Sequence, residues 1–264
     1  CSSDLTSAEP EPSRGDAPIQ ATPTTTAAIL PASGTAPLLP IRFGSAGREL
    51  VGMYHTPTSN TDRRGFCVLC NPFGVEAVQS HRLFRTIAEN LARNGLHALR
   101  FDYFGSGDSA GDGADADLDG WTSDVLAACD GIARRCGATQ STRGVLFGLG
   151  LGATLAMRAA MQMPSSNAPM RLVLWEPVTD GTSYLSTLAE AHIANRTMTL
   201  GSHWDEHPGS TAHIVAEAQE QAMGYPLPAA LKSQLRQLSA EAFRALRAQH
   251  VTLLSAREIG RAHV

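Results

Sequence analysis

The sequence predicts an α/β protein, a mostly parallel sheet with helices on both faces, and three observations carry that reading. The strand candidates "GFCVLC", "RGVLFGLG" and "RLVLWEPV" are continuous apolar runs, as strands buried on both sides require. Amphipathic helical stretches alternate with them, the order a parallel sheet with crossover helices produces. The chain, 264 residues at 43% hydrophobic and 17% charged, has material for a sizeable core.

The elements follow in order. Residues 1–38, rich in Ala, Pro and Thr with almost no aromatics, form a disordered leader, because they bury too little surface to offset chain entropy. "LPIRFGSAGRELVGMYHTP" gives two antiparallel strands about a turn between Gly44 and Gly47. "GFCVLC" is a buried strand, followed by a loop, "NPFGVEAVQ". "SHRLFRTIAENLARNG" places Leu83, Phe84, Ile87, Ala88 and Leu91 on one helical face, with Ser80 as N-cap and Gly95 as C-cap. "LHALRFDYF" is a strand, and "GSGDSAGDGADADLDG" is a long loop. "WTSDVLAACDGIARRCG" sets Trp121, Val125, Cys129, Ile132 and Cys136 at helical spacing. "RGVLFGLG", "ATLAMRAAMQM" and "RLVLWEPV" then read strand, helix, strand. Residues 181–249 are mainly helical, a lid over the sheet, and "QHVTLLSA" opens one more strand. The folded domain spans 39–257.

The two ends stand apart. Cys1 fits either a fragment boundary or, as a minor alternative, a lipid-modified cysteine after signal cleavage. Residues 258–264 of "EIGRAHV" resemble one reading frame of a sequencing adapter and are expected to be non-native, so that the domain is truncated before its final strand and helix.

Composition excludes several classes. A net charge of −4 without a basic stripe argues against nucleic acid, and there is no apolar run long enough to span a membrane. Five cysteines, an odd and sparse set, suit a reducing compartment, and the chain reads as cytoplasmic. Cys67 and Cys70, three apart on a strand, point to opposite faces and form neither a redox nor a metal pair. No cofactor and no metal is expected. "HWDEH", His203 to His207, matches an inverted zinc-protease motif but is hemmed by Gly201 and by Pro208-Gly209, too short for the helix that chemistry needs. His81 is expected to be exposed, and His55 and His97 to be structural. Trp121, Trp175 and the Met157, Met161, Met163 run are read as packing residues.

Two places compete as the elbow of a serine hydrolase. Gly107-Asp108-Ser109-Ala110-Gly111 spells G-x-S-x-G, but "AGDGADADLDG" follows Ser109, and three glycines and four aspartates do not make a helix's first turns. Ser109 is therefore structural first and an alternative nucleophile second. Gly148-Leu149-Gly150-Leu151-Gly152 has both the strand before and the helix after, yet its central residue is Gly150, which carries no nucleophile. The same letters, Gly148-x-Gly150-x-x-Ala153 with Glu176 ending the next strand, fit a dinucleotide fingerprint. Against it, two strand–helix units precede the motif, and Pro177 and the lid follow Glu176 at once.

The succession of "CNPFG", "RFDYFGSGDSAGD", the elbow and "LWEPVTDG" resembles an α/β hydrolase of the serine-aminopeptidase-like group, most closely the hydrolase-like proteins associated with exosortase and exopolysaccharide systems. The resemblance implies an α/β-hydrolase fold with a helical lid. It puts the nucleophile's position at Gly150, and oxyanion N–H groups on Leu151 and Phe73. Members of this subgroup similarly tend to lack the elbow serine, and the acid and histidine of a triad would follow the last two strands. Glu176 is a candidate acid in a relocated position, or a surface group. Asp102 is read as holding the glycine loop that follows it. The implied function is that of a hydrolase-family protein for an ester, amide or acyl-sugar ligand, inactive as an ordinary serine hydrolase. The alternatives are a non-catalytic accessory or binding protein of an exopolysaccharide pathway, and a dinucleotide-binding protein through "GLGLGA".

Overall fold

A computed structural model describes residues 38–58, 65–138, 142–164, 171–200, 210–246, 248 and 250–255. The leader, "HWDEH" and the terminal "EIGRAHV" lie outside these residues.

Strands β1 (Leu38–Ser45) and β2 (Arg48–His55) pair antiparallel and lead the sheet. They are followed by β3 (Gly65–Cys70), β4 (His97–Phe101), β5 (Arg143–Leu149), β6 (Arg171–Trp175) and β9 (His250–Leu254). The spatial order is β1-β2-β4-β3-β5-β6-β9, antiparallel as far as β4 and parallel from there on. Helices α1 (Val75–Arg93), α2 (Leu118–Cys136) and α3 (Leu151–Gln162) are the crossovers.

Strand periodicity divides the core in two. Cys67, Leu69, Ala98, Phe147 and Leu149 meet Phe84 and Ala88 of α1 on one face. Val68, Cys70, Leu99, Phe101, Leu146 and Leu172 meet α2 and α3 on the other. Cys67 and Cys70 thus lie on opposite faces, free and buried, and burial pushes the Cys67 thiol up to about 12. Such a thiol is a packing group.

Beyond β6 come α4 (Gly181–Leu200), α5 (Ser210–Glu217), a two-stranded hairpin of β7 (Gln221–Ala222) and β8 (Tyr225–Pro226), and α6 (Ala229–Arg236). This helical segment is fastened to the core by Leu227, Leu231, Leu235 and Leu238 and by a 2.6 Å bond from the Leu118 N–H to the Gln234 side chain. A buried histidine organises its interior. The Met223 N–H donates to His192 Nδ1 at 2.9 Å, and Arg196 pairs with Glu217 at 3.1 Å.

Two boundaries differ from sequence expectation. Helix α1 begins at Val75, with Gly74 as a cap that makes no side-chain bond, and Ser80 lies inside it, donating its hydroxyl to the Glu76 carbonyl at 2.7 Å. Asn94, not Gly95, is the C-cap. Leu83 faces outward, while Phe84 and Ala88 are buried and Ile87 and Leu91 pack partly against them. Trp121 is buried, whereas Trp175 is half-buried and Met161 is exposed. Among the described residues no helix is long and apolar enough to cross a membrane.

Candidate functional site

Strand β5 delivers the chain to Gly150 and α3 starts at the next residue, so the strand–turn–helix bend that the sequence places here is present. Gly150 has φ 55° and ψ −125°, a conformation that L side chains adopt only under strain. Its N–H donates to the Trp175 carbonyl at 2.9 Å, and its carbonyl accepts from Ala153 at 3.1 Å. Gly152 permits the close approach. A Cβ there would collide with the carbonyls of Cys70 and Asn71, so the loop after β3 lies directly on the first turn of α3.

That loop carries Phe73. Its ring centroid is 5.8 Å from that of Trp121 and 6.0 Å from that of Tyr225, which brings the β7–β8 hairpin over the loop. Among the described residues the Leu151 N–H, first of α3, has no acceptor.

The Glu76 carboxylate fills the space above the bend. Its Oε2 lies 2.6 Å from where a Cβ on residue 150 would stand. No hydrogen bond or ion pair is made by this carboxylate among the described residues. Burial raises its pKa, and repulsion from Glu176 raises it further. Glu176 follows β6, next to Trp175, in the left-handed region at φ 45°, and its N–H donates to the Leu254 carbonyl of β9 at 2.9 Å. Tyr184, in the first turn of α4, senses the same Glu76 charge, and burial is the larger cause of its raised pKa. Glu76 is thus in contact with the Gly150 bend, and its charge is felt at Tyr184 while that of Glu176 is felt at Glu76. Glu76 carries no motif, and only the fold brings it to Gly150.

Ser109 lies in the glycine-rich loop after β4. Its hydroxyl donates to the Asp102 carbonyl at 2.6 Å and accepts from the Val51 N–H at 2.9 Å. These bonds tie the glycine-rich loop to β2 and β4. The loop is also held by Asp102, whose Oδ2 accepts from the Asp108 N–H at 3.0 Å. His81 is exposed and faces Arg100 Nη1 at 3.3 Å, while His55 and His97 are buried. Among the described residues no three His, Cys, Asp or Glu side chains come together as a metal site.

The fold is that of the α/β hydrolases. Est1E from Butyrivibrio proteoclasticus, solved with ferulic acid, is 16% identical with a TM-score of 0.55, the alignment covering 82% of this chain and 88% of that one. A Pyrococcus furiosus esterase is 12% identical at a TM-score of 0.53, covering 84% and 83%. A soluble variant of monoglyceride lipase from Saccharomyces cerevisiae, bound to a substrate analogue, is 14% identical at 0.51, covering 85% and 87%. At these identities the likeness establishes the fold alone. No protein-family model and no curated protein matches the chain.

Proposed function

We propose that the protein binds an ester, amide or acyl-sugar ligand at the bend between β5 and α3 and does not cleave it by Ser-His-Asp acyl transfer. One observation carries this reading: the residue at the bend is Gly150, and the Glu76 carboxylate occupies the space its side chain would take. Loss of the nucleophile alone costs about a millionfold in rate, leaving what backbone N–H groups and binding supply. The Leu151 N–H, and that of Phe73 in the neighbouring loop, would then orient a carbonyl. Glu176 is retained as a polar wall of the site and a candidate acid. The likeness of "RFDYFGSGDSAGD" and "LWEPVTDG" to exosortase-associated proteins supports an accessory or binding role beside polysaccharide assembly. Cys67, Cys70, Cys129 and Cys136 form no disulfide among the described residues, which supports a reducing compartment.

A fluorophosphonate probe tests the catalytic half. The wild-type protein is expected to remain unlabelled. Labelling that disappears in Ser109→Ala would show that the nucleophile lies in the glycine loop instead. Titration with NAD, followed by tryptophan fluorescence, separates the dinucleotide alternative: saturable quenching would favour "GLGLGA" as a nucleotide loop over an acyl site.

A further inference from the structure

We infer that His192 is a pH-sensitive latch on the β7–β8 hairpin: the neutral ring holds the hairpin down, and a ring that takes up a proton turns to Glu217 and lets the hairpin go. His192 lies on α4 and is 1% exposed. Its Nδ1 accepts from the Met223 N–H at 2.9 Å, which places the ring hydrogen on Nε2. That Nε2 is buried and makes no hydrogen bond among the described residues, and Oε2 of Glu217 on α5 stands off from it at 3.6 Å. The ring therefore lies between two partners and fully serves only one.

The hairpin depends on that bond. Met223 and Gly224 make its two-residue turn, with φ 51° and 93°, a conformation that suits Asn-Gly and strains a methionine. The N–H of the first turn residue finds no acceptor in a two-stranded ladder, and His192 supplies it. Next to the turn, Tyr225 covers the loop beside the bend. Its ring centroid is 6.0 Å from that of Phe73, and its ring comes within 3.6 Å of where a Cβ on Gly74 would stand.

Histidine ordinarily changes charge between pH 5 and 8. A proton can enter this ring only at Nδ1, where it meets the Met223 N–H donor to donor, and the same proton turns the Glu217 contact into an ion pair. Glu217 Oε2 already accepts from Arg196 of α4 at 3.1 Å and keeps a lone pair for the ring, while its Oε1 accepts from the Gln221 side chain at 2.6 Å. The other charged groups nearby lead elsewhere. Lys232 of α6 is bound to the Gln219 carbonyl at 2.6 Å and to Glu220 at 3.2 Å, while Glu190 of α4, His213 of α5 and Arg236 of α6 are exposed. Strands β7 and β8 carry no charged side chain. On the reading of the bend as a ligand site, acid thus uncovers the loop that flanks it.

Hydrogen exchange of the Met223 amide, followed by NMR on the full chain at pH 7.5 and 5.5 and corrected to one intrinsic rate, tests the latch. Protection is expected to fall at least tenfold at pH 5.5, in step with protonation of His192 read from its ring nitrogen shifts, and the cross-peaks between the Tyr225 and Phe73 rings should vanish with it. His192→Gln offers the Met223 N–H a carbonyl oxygen and takes up no proton, so its protection should be the same at both pH values. His213→Gln, an exposed change on α5, should respond as the wild type does. Equal wild-type protection at both pH values, a fall that persists in His192→Gln, or ring cross-peaks that survive at pH 5.5 would overturn the latch. Should His192→Gln not fold, the wild-type titration decides: an amide whose protection is lost at a different pH from the protonation of His192 would overturn it. No ligand enters these measurements, so failure of the latch leaves the acyl-ligand reading standing, and failure of that reading leaves the latch.

Discussion

The Arg48 guanidinium grips both oxygens of the Asp124 carboxylate, Nε to Oδ1 at 2.7 Å and Nη2 to Oδ2 at 3.1 Å. The Asp124 side chain is 1% exposed, and it also accepts from the Phe104 N–H at 2.9 Å. One buried charge therefore ties β2, the start of the glycine loop and α2 together. Breaking a buried pair leaves an uncompensated charge, so Asp124→Ala is expected to lower unfolding free energy by about 3–5 kcal/mol. Urea denaturation measures it. A paired apolar replacement, Arg48→Met with Asp124→Leu, should recover most of the loss, and no recovery would mean that the loop anchor matters more than the charge.

Glu76 is expected to act in the opposite sense. Its folded-state pKa is raised, first by burial and then by Glu176, so the folded protein binds this proton more tightly than the unfolded chain. Its contribution to stability therefore declines as pH rises above the ordinary glutamate range, and at neutral pH the charge opposes folding. Glu76→Gln should raise Tm by about 1–2 °C at pH 7.5, with the difference vanishing near pH 4. A Tm lowered at both pH values would show that the carboxylate is a structural prop.

His55 gives the acid limb of the stability profile. Burial first and the Arg100 charge second hold its pKa at about 4, and its Nε2 accepts from Arg100 Nε at 3.3 Å. A lowered folded-state value means that the unfolded chain takes up the proton more readily. The stability this neutral imidazole contributes is whole above about pH 6.5 and is lost as pH falls towards 4, by about 3 kcal/mol. His55→Gln keeps an acceptor for Arg100 but does not titrate. Urea midpoints for this variant should fall less steeply between pH 6.5 and 4 than those of the wild type.

Substitutions at the bend should separate conformational strain from collision. Gly150→Ala puts a side chain at φ 55° and asks only that the flexible end of Glu76 move, for an expected loss of about 1–3 kcal/mol. Gly152→Ala drives a methyl group into the carbonyls of Cys70 and Asn71, which are backbone and cannot step aside. It should be the more damaging of the two, with little soluble protein recovered. Equal losses would mean that α3 can slide away from β3.

Much of the fold is legible in the sequence because its strands are buried on both faces, and such strands declare themselves as unbroken apolar runs. The β5–Gly150–α3 bend is legible for a related reason: close packing permits only glycine at residue 152. The start of α1 is not. Its cap, Gly74, makes no side-chain bond, while Ser80, a residue type that favours caps, instead bonds back to the Glu76 carbonyl inside the helix. Placing the helix start at Ser80 leaves Glu76 in a loop and hides its role. Its contact with Gly150 depends on α1 and the β5–α3 unit coming together in the fold, and no local pattern encodes it.

Strand β9 has every residue exposed, Val251 at 52% and Leu253 at 62%, and among the described residues no neighbour pairs with its outer edge. A bare ribbon of this kind invites zippering with any extended chain it meets, so purified material should drift towards higher mass as it is concentrated. Lysine at 251 or 253 should arrest that drift in light scattering while leaving the Gly150 bend untouched.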